Sequence, residues 1–299
     1  MGKITEALKK LERERAIQKK QDLEKQRLEK QRVEKQKKEK IVSIETAQKP
    51  GLEERIRRRA YLNTTDDSGI AESIVAYHQP FSPISEQYRI LRTNIARQTN
   101  NTSRTGRVFV LSSSFRREGK TVTAANLAIT FARDFEKTVL LVDCDLRSGK
   151  IHQLLALGAE GYGLSDILSN GLTAESTLYK TRIDRLTIMP RGKIIRNPAE
   201  LLGSKRMKRL LGELRPKFDY IILDTPPIIP VTDAGVLAPY SDGVIFVVQA
   251  QKTHRHDVAH AEVLFKQAGA KILGFVLTKT GKYIPGYIHR YLQKDYRYS

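Results

Sequence analysis

Cysteine occurs once in the 299 residues, at Cys144, and tryptophan not at all. A lone thiol cannot close an intramolecular disulfide, so buried apolar surface has to hold the fold, and a chain of this length can supply it. Long apolar runs are also missing. The longest, such as GVIFVVQA, are strand-sized, far short of the ~20 residues a membrane-crossing helix needs. The N-terminus carries no apolar leader stretch, and MGKITE has Glu6 where a myristoylation signal needs Ser or Thr. The expected setting is therefore a reducing cytosol.

Positive charge is abundant, with a formal net charge of +20. Such a chain is drawn to acidic partners, but the balance alone does not choose among nucleotide, nucleic acid, anionic lipid and protein. Much of the charge sits in the first forty residues, where Lys, Arg, Glu and Gln dominate and a five-residue repeat runs QDLEK, QRLEK, QRVEK, QKKEK. Strong helix formers without Gly or Pro after Gly2 predict a helix. Five residues advance a helix by about 140° past a full turn, so Leu23, Leu28 and Val33 spiral instead of forming a coiled-coil seam. The reading is a solvated charged helix with pairs such as Glu24 with Arg27. Ahead of it, Ile4, Leu8 and Leu11 share one face, suited to a membrane surface, a partner or a frayed end. Because bases and acids interleave and no DNA- or RNA-binding motif accompanies them, nucleic acid is not expected as a partner.

Residues 41–79 show no sustained period and read as a linker. From Pro80 the texture changes. RVFVLSS, TVLLVDCD, RLTIMP, DYIILDTPP, GVIFVVQA and KILGFVLT are short, continuous and rich in Val, Ile and Leu, with helical stretches such as TAANLAITFARDF between them. Continuous apolar strands alternating with helices predict an α/β fold, a mostly parallel sheet covered on both faces. The expected organisation is a charged helix over 1–40, a linker over 41–79, an α/β domain over 80–282 and a tyrosine-rich tail over 283–299.

The segment SSSFRREGKT ends in Gly119, Lys120 and Thr121, the close of a phosphate-binding loop, between a predicted strand and a predicted helix. In such loops backbone N–H groups and the helix N-terminus surround phosphate, the lysine neutralises it and the hydroxyl ligates magnesium. Ser114 replaces the loop's first glycine. Arg116 and Arg117 stand where glycine is usual, facing either a triphosphate or solvent, and Arg117 is expected to avoid positive φ. The nucleotide-binding candidates are Ser114, Arg116, Arg117, Glu118, Gly119, Lys120 and Thr121. Two further strand ends carry acids. Asp143 and Asp145 in LLVDCDLR are expected to face one way and to suit a magnesium ion and a hydroxyl losing its proton. Asp224 in IILDTPP sits where a carboxylate holds the metal through water.

With the loop, Asp-x-Asp-x-Arg and Asp-Thr-Pro-Pro together, residues 80–299 resemble the bacterial protein-tyrosine kinases, P-loop autokinases linked to exopolysaccharide and capsule assembly. The resemblance implies a P-loop NTPase-like fold, ATP and Mg2+ as cofactors, Lys120, Asp143, Asp145 and Asp224 as catalytic residues with Asp143 as base, and Thr121, Asp145 and Asp224 at the metal. It implies that Glu86, Arg89 and Arg92, one helical face of SPISEQYRILRTNI, contact a neighbouring copy in a ring. It further implies that Tyr283, Tyr287, Tyr291, Tyr296 and Tyr298 are autophosphorylated in trans. A membrane-embedded polysaccharide co-polymerase would be the separate activator, holding the protein peripherally at the inner face of the membrane, and a cognate tyrosine phosphatase would oppose it. Thr278 stands where many relatives carry an adenine-reading asparagine, so no residue is assigned to the base. Two alternatives stay open: a partitioning or Min-type ATPase switch, which would carry an early second lysine absent from this loop, and a non-catalytic ATP-binding scaffold of an export complex.

Overall fold

Successive strand residues point to opposite faces of a sheet, so strands that are apolar throughout demand a cover on each side. The computed structural model describes residues 69–99, 106–134, 137–157 and 161–281. The expected N-terminal helix, the linker up to residue 68 and the tail tyrosines Tyr283, Tyr287, Tyr291, Tyr296 and Tyr298 lie outside the described residues. The strands are β1 (Arg107–Ser113), β2 (Val139–Asp143), β3 (Tyr179–Lys180), β4 (Leu186–Met189), β5 (Tyr220–Asp224), β6 (Gly243–Gln249) and β7 (Ile272–Thr278). They form one sheet in the order β3-β4-β2-β5-β1-β6-β7. Every neighbouring pair is parallel except β3 with β4. Six of these strands are the predicted segments; the two-residue antiparallel β3 carries too little pattern to be seen in sequence.

The helices are α1 (Val75–His78), α2 (Pro83–Thr99), α3 (Lys120–Ala132), α4 (Ile151–Leu154), α5 (Leu164–Asn170), α6 (Pro198–Leu202), α7 (Lys205–Leu214), α8 (Asp233–Leu237) and α9 (Arg255–Gln267). Two apolar cores result, split by strand parity. Val108, Val110, Leu140, Val142, Ile221, Leu223, Val244 and Phe246 enter the core that holds Leu168 of α5, Leu210 of α7 and Phe265 of α9. Phe109, Leu111, Val139, Leu141, Tyr220, Ile222 and Ile245 enter the other, with α3 and Ile95 of α2. By the same parity Asp143 and Asp224, two residues beyond Leu141 and Ile222, belong to the face that α3 covers.

α3 can lie close on the central strands because alanine recurs along it: Ala124, Ala125, Ala128 and Ala132 are all buried. Phe131 fills the far end against Phe109 and Tyr220, with ring centroids 6.5 and 4.1 Å away. The N-terminal boundary of this body differs from the expected one. Residues 69–79, read as the end of a linker, pack on α3: Ile74 is fully buried, and Asn126 Oδ1 accepts the Ala76 N–H at 2.8 Å while its Nδ2 donates to Ser73 O at 3.0 Å. One buried amide thus satisfies backbone groups too isolated to satisfy themselves, a role the local sequence does not signal. Asn126→Ala would leave both groups without a partner. It is expected to cost about 1–3 kcal/mol, read as a lowered urea midpoint at unchanged slope; an unchanged midpoint would refute this role.

Candidate functional site

Three adjacent strands deliver the predicted motifs to one edge of the sheet. In the parallel register Leu111 of β1 pairs with Asp224 of β5, and Asp224 pairs with Asp143 of β2. The loop from Ser114 to Gly119 leaves β1 at this level and leads into α3, whose first residues are Lys120 and Thr121. The loop, the lysine and both strand-end acids are therefore gathered, as the motif spacing leads one to expect. Backbone bonds lock the edge: Cys144 N–H donates to Asp224 O at 2.8 Å, and Thr225 N–H and Oγ1 both donate to Leu111 O.

The electrostatics of this edge are tense. Asp143 is fully buried, accepting the Asp145 N–H on Oδ1 at 3.3 Å and the Ile151 N–H on Oδ2 at 3.1 Å. Gly149 passes so close that a Cβ there would sit 2.1 Å from Oδ1, which reserves that position for glycine. Burial, and then the neighbouring Asp224, push the Asp143 carboxyl well above the usual range, against the pull of the Ile151 N–H. Burial likewise raises Asp224, to about 7, although Lys120 and the nearby Thr121 hydroxyl hold it down. Lys120 is itself buried and its pKa falls; Asp224, Asp145 and Glu118 counter that fall, and Arg116 adds to it.

Asp145 lies just past β2 and is half-buried. Its Oδ1 accepts the N–H groups of Arg147 and Ser148 at 3.2 and 2.9 Å, which fixes the turn after the strand. Arg147 then reaches Asp233 at the start of α8 with two bonds, 3.1 and 3.2 Å, and the Asp233 side chain is entirely enclosed. Asp233 was not legible as part of the site: VTDAGV marks it with nothing but an acid at a helix start.

The loop itself differs from expectation in one respect. Arg117 adopts φ +65°, the left-handed region that a non-glycine residue was expected to avoid. Glu118 turns its buried carboxylate inward, accepting the Phe115 N–H at 3.0 Å and the Thr253 hydroxyl. Its side chain is thereby committed to holding the loop. Arg116 and Arg117 are exposed. Ser114 is buried with no hydrogen-bond partner for its Oγ. Of the expected contact residues on α2, Arg89 pairs with Glu86 and donates to Pro80 O at 2.6 Å, while Arg92 donates to Thr130 O at 3.3 Å.

The donor set suits a magnesium ion. Both Asp224 carboxylate oxygens are buried without a complete hydrogen bond, so a cation arriving there would meet oxygen ligands not already committed to a donor. Among the described residues no three His, Cys, Asp or Glu side chains form a ready cage; most of the shell would be water and phosphate oxygen, as magnesium commonly takes.

A family model described as an AAA domain matches residues 118–264. The tyrosine-protein kinase YwqD of Bacillus subtilis is 36% identical over 210 residues, covering 70% of this chain and 87% of that protein. The putative tyrosine-protein kinase CapB of Staphylococcus aureus is 34% identical over 206 residues, covering 69% and 89%. The chain belongs to the bacterial tyrosine-protein kinases. The solved structure of the chimerical protein CapA2B2 aligns with a TM-score of 0.66 at 32% identity, over 71% of this kinase and 92% of that chain. No helix among the kinase's described residues is long and apolar enough to cross a membrane.

Because the folded-state pKa of Asp224 is raised, its contribution to stability is complete below the unfolded value near 4 and is lost as pH climbs through about 7. With magnesium chelated, Asp224→Asn is expected to be more stable to urea than the parent at pH 8, by on the order of a few kcal/mol, and to show no advantage at pH 4. An advantage that is the same at both pH values would contradict the assignment.

Proposed function

We propose that the kinase transfers the γ-phosphoryl group of ATP to the tail tyrosines Tyr283, Tyr287, Tyr291, Tyr296 and Tyr298 of an adjacent copy. The observation that carries this reading is the register match of Asp143 with Asp224, which sets a second buried acid next to the one that Lys120 faces. Phosphoryl transfer asks the protein mainly for positioning and charge neutralisation, and this edge offers both.

In that reading the backbone N–H groups of residues 114–119 and the α3 N-terminus hold the phosphates, and Lys120 neutralises the β- and γ-oxygens. Thr121, Asp145 and Asp224 would hold magnesium, which when bound supplies positive charge to the phosphate oxygens. Asp143 accepts the phenolic proton: its raised proton affinity suits a base, and the Asp145 and Ile151 N–H groups aim its two oxygens. The tyrosine oxygen bonds to the γ-phosphorus as the bond to the β-phosphate oxygen breaks, and ADP leaves. Arg147, held on Asp233, keeps the Asp145 turn in place.

Family membership supports the wider setting. The working assembly is a ring with Glu86, Arg89 and Arg92 at its contacts. A membrane-embedded co-polymerase chain activates it at the inner membrane face, a cognate phosphatase reverses the modification, and the cycle regulates polysaccharide polymerisation and export. Each phosphotyrosine brings about −1.5 to −2 charges to a tail that also carries Arg290, Lys294 and Arg297, enough to reverse its local charge and loosen a ring.

A complementation assay tests the transfer. Lys120→Met with an intact tail, incubated alone with Mg-ATP, is expected to label at least about a hundredfold less than the parent. Mixed with a copy whose five tail tyrosines are phenylalanine, it is expected to regain tail phosphotyrosine by mass spectrometry. Labelling that persists in Lys120→Met alone, or fails in the mixture while the parent labels, would refute catalysis by Lys120 or transfer in trans, respectively.

A further inference from the structure

A phosphate loop poor in glycine has to be held in shape by something outside itself. Arg117 stands at φ +65°, a conformation glycine takes freely and other residues take at a cost. Two distant segments meet the loop there. From the turn ahead of α9, the Thr253 hydroxyl donates to Glu118 Oε1, while Oε2 accepts the Phe115 N–H at 3.0 Å and closes the turn from within. From the end of β7, Thr278 Oγ1 donates to Glu118 O at 2.6 Å, and Lys279 Nζ donates to Arg117 O at 2.8 Å. Glu118 is 2% exposed, so its carboxylate would be a costly orphan without these donors. Thr278 also packs against Gly119: a Cβ there would meet Thr278 Cγ2 at 3.4 Å, in van der Waals contact.

We propose that Thr253 and Thr278 are positioning residues for nucleotide binding: acting through Glu118, they hold the Phe115–Gly119 turn in the shape that receives phosphate. In other loops of this kind glycine grants that shape; here the turn after β6 and the end of β7 impose it. The inference rests on the loop being the nucleotide site. A residue that acted on stability alone would move the melting temperature and leave ligand affinity untouched. A positioning residue changes affinity and the KM for ATP while sparing kcat.

The test titrates the full chain with Mg-ADP by calorimetry and measures KM and kcat for ATP. Thr253→Val, which removes the hydroxyl at nearly constant volume, is expected to weaken Mg-ADP about tenfold and raise KM about as much, with kcat within about twofold. Thr253→Ser should restore both. Thr278→Val, altering the other arm of the brace, should shift affinity in the same direction. Thr253→Val binding as tightly as the parent, or Thr253→Ser failing to restore affinity, would overturn the proposal while leaving the nucleotide reading intact. A parent protein that binds no Mg-ADP would overturn both.

Discussion

Two carboxylates side by side on adjacent buried strands set the terms for everything around them. Neighbouring strands run about 4.8 Å apart, and two like charges at roughly that distance repel by about 3 kcal/mol even at an effective dielectric constant near 20. Asp143 and Asp224 occupy that arrangement by register. Part of the strain is answered by Lys120, part by the Asp145 and Ile151 N–H groups, and part by proton uptake, with Asp224 raised to about 7. A divalent cation with its phosphate ligands would answer the remainder. A site that is electrostatically incomplete without its ligand holds binding energy in reserve, since a cation arriving there meets charge already stripped of water.

The fold explains why this tension can be sustained. β1, β5 and β2 are interior strands, flanked on both sides and covered on both faces, so their ends cannot splay apart to relieve the repulsion. Alanines let α3 sit low on the sheet, which brings Lys120 and Thr121 down to the acids. Asp145, Arg147 and Asp233 pin the turn beyond β2, and the turn after β6 and the end of β7 pin the phosphate loop from its far side. The rigidity comes from long-range contacts at both flanks of the site, and the loop's own composition contributes little to it.

That division also explains what could be read in the sequence. The strands, the loop and the acids were legible because each is a local pattern: an apolar run of strand length, a glycine-lysine-threonine at a strand-to-helix junction, an acid at a strand end. The brace was not legible, because Thr253 lies 135 residues from Glu118 in the chain and a threonine before a helix reads as an ordinary cap. Arg117 shows the same limit. Local sterics argue against its left-handed φ, and a contact supplied by Lys279, just past β7, overrides them. Asn126 and the packing of residues 69–79 on α3 were hidden for the same reason, since a polar residue inside an alanine-rich helix does not announce what it will cap.

The central claim, that buried acids at this edge hold protons which a metal-bound nucleotide displaces, is tested most directly by calorimetric titration of the parent protein with Mg-ADP near pH 7. The titration is run in two buffers of different ionisation enthalpy. The expected result is binding with net proton release, larger at pH 6.5 than at pH 8.5, because more of the Asp224 carboxyl is protonated before the ligand arrives. Binding with no proton release at either pH, or no binding at all, would contradict it.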